Sequence, residues 1–182
     1  MKNLTNLCLL LIVSILFACE GEQKKEDHAG HDHATEMTTT TDTTVSHEAN
    51  DNVSADGTQK LLAGYFEIKD ALVKTEPETA SKKALAFVKV LEANDAGQLF
   101  ASTRAIASAK DVKEQRKQFE VLSQQMYMLV KNNKTDGATV YKQFCPMAFD
   151  NKGAFWLAKE KEINNPYFGD KMLHCGMVQE EL

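Results

Sequence analysis

The sequence has no surplus of basic charge, few cysteines, and no hydrophobic run long enough to cross a bilayer. Its 26 Asp and Glu outnumber 21 Lys and Arg, for a net charge of −5. That balance excludes a dedicated nucleic-acid binder, which carries a basic stripe to meet the phosphates. Four cysteines in 182 residues are too few for a disulfide-dense miniprotein. The longest apolar run, Leu7 to Ala18, is about half of the ~20 residues that a spanning helix needs. C-x-x-C-H, C-x-x-C, the P-loop and the G-x-S-x-G elbow are also missing. Covalent haem, a paired redox motif, nucleotide phosphates and a serine nucleophile therefore have no signature here. No catalytic residue stands out, and the expected function is non-enzymatic.

What is present falls into three unlike parts. Residues 1–18 carry one Lys, no acidic residue and the short apolar run, the pattern of a signal peptide. The run ends in Leu16-Phe17-Ala18-Cys19, which resembles a bacterial lipobox. That resemblance implies a lipoprotein lipidated at Cys19 by acyl chains such as palmitate. More than one chain holds a protein stably to a bilayer. The expected place is the bacterial cell envelope, periplasmic or surface-facing.

Residues 19–56 hold four of the five histidines, and six of the eight residues Met37–Thr44 are Thr. Ten acidic side chains against two lysines give −8 over this stretch. Such a composition cannot bury enough apolar surface to offset ordering, and predicts a disordered tether. His28, His31 and His33, beside Asp27 and Asp32, form a weaker secondary metal site for Cu(II), Zn(II) or Ni(II). The bland alternative is a solubilising tether.

Residues 57–182 contain 16 acidic and 18 basic side chains, so the acidity belongs to the tether. A chain of this length can enclose one core. Apolar spacing predicts helices over 58–74 (Leu61, Tyr65, Ile68, Leu72), 77–93 behind Pro77, and 98–109. In the fourth helix Asp111 is the N-cap, and Val112, Gln115, Phe119, Leu122, Met126 and Leu129 alternate steps of three and four as far as Asn132. Short polar turns between consecutive helices favour a mainly α antiparallel bundle of about four helices. After Gly137 a small C-terminal appendage follows. It holds a β-rich stretch at Thr139–Phe144, an expected short helix at Ala154–Ile163 and an expected closing strand at Leu173–Leu182. Glu160 and Glu162 lie in a Lys-rich run and read as a solvated face.

The appendage also carries the chemistry. Cys8 leaves with the signal and Cys19 is lipidated, so Cys145 and Cys175 are the remaining thiols. With Met147 and Met172 they supply four sulfurs, and His174 adds an imidazole as an auxiliary ligand. Thiolate and thioether are soft donors that select Cu(I) or Ag(I) over hard cations. If 172–175 is extended, Met172 and His174 share one face and Cys175 the other, so convergence requires a bend. Cys145 and Met147 share a face by the same rule. Trp156, Phe155, Tyr167 and Phe168 are placed either to shield such a site or to pack the appendage onto the bundle. A second reading stands beside the first. In an oxidising compartment the two thiols form a disulfide across a loop of about 30 residues, worth roughly 3–4 kcal/mol in the chain-entropy model.

The strings Gln143-Phe144-Cys145-Pro146-Met147, Trp156–Ile163, Asn165–Leu173 and His174-Cys175-Gly176, with Arg116–Ser123 upstream, resemble a domain of unknown function of bacterial envelope proteins. That domain also occurs fused to or beside CusB-type copper and silver efflux adaptors. The resemblance covers about 58–182. It implies a helical bundle with a C-terminal cysteine/methionine site, copper as cargo and a heavy-metal efflux adaptor or other envelope protein as partner. The histidine at 174 departs from that family pattern. A disulfide-stapled interaction module without metal is the competing function.

Overall fold

The computed structural model describes residues 53–133, 135 and 137–182; Cys19, His28, His31 and His33 lie outside the described residues. Helix α1, Ala55–Val73, starts where the Ser54 hydroxyl accepts the Gly57 N–H at 3.1 Å. It reaches back into the segment expected as tether because this cap stops the fraying of the first turn. Leu61, Tyr65, Ile68 and Leu72 are wholly buried, the face that the spacing predicts.

Helix α2, Pro77–Ala93, has its proline in the first turn, where an N–H would have no helical partner. A 3-10 turn, Gly97–Leu99, leads into α3, Phe100–Ser108. Helix α4, Val112–Asn132, is capped by Asp111, whose carboxylate accepts the Glu114 N–H at 2.9 Å. Gln115, Phe119, Leu122, Met126 and Leu129 form its buried stripe. Short connections keep consecutive helices adjacent, and α4 also packs on α1. The fold is thus mainly helical.

Three strands complete it: β1 Tyr141–Cys145, β2 Ala154–Ala158 and β3 Met177–Glu181. They form an antiparallel sheet in the order β2-β1-β3, with Cys145 opposite Ala154 and Phe144 opposite Met177. Strand β2 overturns the short helix expected over Ala154–Ile163. Ala154-Phe155-Trp156-Leu157-Ala158 is a short apolar run without periodicity, which fits a buried strand as well as a helix. Pairing with β1 decides it. Lys159–Glu162 then forms bends.

The outer edge of β2 is closed by two phenols. Tyr65 of α1 accepts the Leu157 N–H at 3.0 Å, and the Tyr167 hydroxyl donates to the Phe155 carbonyl at 2.5 Å. These bonds satisfy backbone groups that an open edge would leave unpaired. Tyr65 stacks on Phe119 of α4 at 5.0 Å, and its hydroxyl donates to the Ser123 hydroxyl at 2.7 Å, which in turn donates to the Phe119 carbonyl. Burial drives its pKa well above the ordinary phenol value. Glu160 is not solvated as its sequence context predicts. It is half-buried and bonded to the wholly buried Lys69 of α1. Among the described residues no helix is long and apolar enough to cross a membrane.

Candidate functional site

Cys145 is the last residue of β1 and is wholly buried. Cys175 is half-buried, just ahead of β3. Both are free thiols, and their Sγ atoms lie 3.0 Å apart. The fold thus joins two residues separated by thirty positions. The contact with Cys145 and desolvation raise the Cys175 pKa, because an anion there would face a second sulfur.

The segment before Cys175 is bent, contrary to the extended geometry expected for 172–175. Gly169–Lys171 is a 3-10 turn, and the Met172 carbonyl accepts the Cys175 N–H at 3.1 Å. Alternation of faces therefore does not apply to Met172 and His174. It does not apply to Cys145 and Met147 either. The strand ends at Cys145, and Met147 takes φ −88° and ψ −9°. Met147 is 47% exposed and Met172 is half-buried. His174 is exposed, and its Nδ1 lies 2.9 Å from the Ile163 carbonyl. A carbonyl only accepts, so Nδ1 is the donor in this contact. Among the described residues no three His, Cys, Asp or Glu gather as a metal-binding group. Of the expected set, the structure brings together Cys145 and Cys175, while His174 is exposed on the Ile163 carbonyl.

The walls of the thiol pair are tight. Gly176 has φ 151°, and a Cβ there would lie 3.0 Å from the Phe144 carbonyl and from the Trp156 ring. Glycine is thus required where the chain leaves Cys175. Trp156 is wholly buried and meets Tyr167 edge-on at 5.9 Å. Phe149 meets the same tyrosine at 5.2 Å. These contacts are packing contacts of the appendage.

A strained turn follows Cys145-Pro146-Met147. Phe149, Asp150 and Asn151 have φ of 50°, 59° and 65°, three successive left-handed residues without a glycine. The Gly153 N–H donates to the Ala148 carbonyl at 3.0 Å and closes the turn. The left-handed region costs an ordinary residue about 1–2 kcal/mol. Asp150 is exposed, so substitution there tests the strain alone. Asp150→Gly should raise the melting temperature by a few degrees and Asp150→Val should lower it. Equal shifts in a thermal scan would deny the strain.

Three supports of the site carry little sequence signal. Gln143 is buried and its amide donates to the Glu160 and Glu162 carbonyls at 2.8 and 3.1 Å. Arg116 donates to the Pro166 carbonyl at 2.8 Å and to the Leu72 carbonyl at 3.1 Å. Asn165 is wholly buried and holds the carbonyl of Cys175. Asn165-Pro166 is legible as a turn, but its target is fixed only when the chain returns at Cys175.

No curated protein and no solved structure matches the chain. Residues 61–137 match the family model described as "Protein of unknown function (DUF3347)". That match begins inside α1, runs past the end of α4 and stops before β1, so most of the helical part of the chain is similar to a domain family of unknown function.

Proposed function

We propose that the chain is an envelope lipoprotein, anchored at Cys19, that binds a soft monovalent ion, Cu(I) or Ag(I), between Cys145 and Cys175. The observation that carries this reading is the approach of the two thiols to 3.0 Å from separate segments, one of them wholly buried. Thiolate sulfur suits Cu(I), whereas a structural zinc site requires four ligands. The two thiols alone do not offer four. Binding releases two protons: two thiols and one Cu(I) give a bis-thiolate complex. With metal–sulfur bonds near ~2.3 Å, a bent or linear S–metal–S unit spans about 4–4.6 Å. The sulfurs must therefore open by about 1–1.6 Å from their 3.0 Å separation. Cys175, the more accessible thiol, is the one able to move. Met147, exposed two residues past Cys145, and the half-buried Met172 are the thioethers expected to add a third ligand. His174 is an outer ligand at most, and His28, His31 and His33 a collecting site on the tether. The resemblance to domains beside CusB-type adaptors makes efflux the destination of the metal.

The same 3.0 Å contact favours a second reading, because closing to a disulfide at about 2.05 Å needs a similar displacement. In that case the pair staples β1 to the segment before β3, and the domain is an interaction module without metal. One titration separates them. Reduced, metal-free protein is titrated anaerobically with Cu(I) against a chromogenic chelator, beside a Cys145→Ser/Cys175→Ser variant. The expected loss in the variant exceeds the ~10–100-fold that removal of an outer partner causes. Equal affinity would leave the disulfide module.

A further inference from the structure

Asn165 makes more bonds to the Cys175 segment than a turn residue needs. Its backbone N–H donates to the Leu173 carbonyl at 2.8 Å, and its side-chain Nδ2 donates to the Cys175 carbonyl at 2.7 Å. These two acceptors are two residues apart, so the amide side chain acts as a second rung beside the backbone rung. The other end of the amide is engaged as well. Oδ1 accepts the Tyr167 N–H at 2.8 Å and the Phe168 N–H at 3.3 Å. The Asn165 carbonyl accepts the Gly169 N–H at 2.9 Å. Pro166, which follows, has no N–H to offer. Asn165 is wholly buried, so its own end of each of these bonds is shielded from competing water.

We infer that Asn165 is the positioning residue of the thiol pair: its side-chain amide fixes the Cys175 backbone so that Sγ meets Cys145. Cys145 is held independently, as the end residue of β1 paired with Ala154. Cys175 lies in a bent segment outside the ladder, and the Asn165 amide supplies the fixed point that the ladder does not. Tyr167 links the same turn to the sheet through the Phe155 carbonyl, so the turn and β2 move as one body. The inference rests on the thiol pair being the functional site, yet its test uses no metal.

The test compares how readily the pair closes. The folded protein is equilibrated with reduced and oxidised glutathione, and the fraction of Cys145–Cys175 disulfide is read by thiol trapping and mass. The reaction is balanced: two protein thiols and one glutathione disulfide give the protein disulfide and two glutathione thiols. Asn165→Asp keeps the acceptor for Tyr167 and Phe168 but removes the N–H that holds the Cys175 carbonyl. Its closure constant should fall by about tenfold, the range of one buried hydrogen bond. Leu91→Ala, in the buried face of α2, should lower stability and leave the constant unchanged. Should Asn165→Asp not fold, Asn165→Ser keeps a short acceptor and is read the same way. A constant within twofold of wild type in the folded variant overturns the inference. So does a wild-type constant no larger than that of the chain in denaturant. Failure of Cu(I) binding in the separate titration would sink the metal reading and leave this result standing.

Discussion

Trp156→Ala should lower the stability of the domain by about 3–5 kcal/mol, whereas Trp156→Phe should cost much less than so large a residue suggests. Trp156 is among the largest side chains that are wholly buried, and it touches the sheet, Tyr167 and the Gly176 backbone. Truncation to alanine therefore opens a cavity beside the thiol pair, where the surrounding glycine and strand backbone cannot collapse. Phenylalanine leaves a smaller gap. It also removes a buried indole N–H for which no group among the described residues serves as acceptor. An unmet buried donor costs about 1–3 kcal/mol, so its removal offsets part of the lost packing. Urea denaturation of both variants at constant m-value gives the comparison. Equal losses for the two would show that the indole N–H is satisfied in solution. The alanine variant should also weaken closure of the thiol pair, since Trp156 backs the turn of chain at Gly176.

The helical half of the fold was open to reading from spacing because its elements are regular and capped by local chemistry. Asp111 and the alternation from Val112 to Leu129 place α4 to within a residue, and Pro77 marks the start of α2. The appendage resisted the same method. Ala154–Ala158 has no period, and its strand identity comes from a partner, β1, nine residues upstream of it at the nearest pair. The thiols could be counted in the sequence, and only tertiary structure brings their sulfurs within 3.0 Å. Met172, His174 and Met147 follow bent backbone rather than strand alternation, so the faces drawn for them from an extended chain do not exist. Asn165 and Glu160 show the deeper limit. Each looks like a polar surface residue, and each is held by a residue far along the chain, Cys175 in one case and Lys69 in the other.

Glu160→Ala should destabilise the fold by about 2–3 kcal/mol, and by more than Lys69→Met does, although the two substitutions break the same pair. The asymmetry follows from burial. The Lys69 side chain has no exposed surface, while Glu160 keeps 30% of its own. Removing Glu160 leaves an ammonium in the interior with Asp70 as its remaining partner, at 3.0 Å and itself 44% exposed. Desolvation of that charge is then poorly compensated. Removing the charge of Lys69 leaves a carboxylate on a side chain that keeps 30% of its surface exposed, and methionine fills most of the space of the lysine stem. Glu160 has a further burden, since its Oε2 is buried without a hydrogen-bond partner among the described residues. Lys69→Met combined with Glu160→Leu should therefore approach wild-type stability, as apolar replacements of buried ion pairs often do. The measurement is the urea midpoint of each single variant and of the pair. A Lys69→Met loss equal to or larger than that of Glu160→Ala would mean that the lysine is held by its stem rather than by its charge. The link between α1 and the bend after β2 would then be an apolar contact.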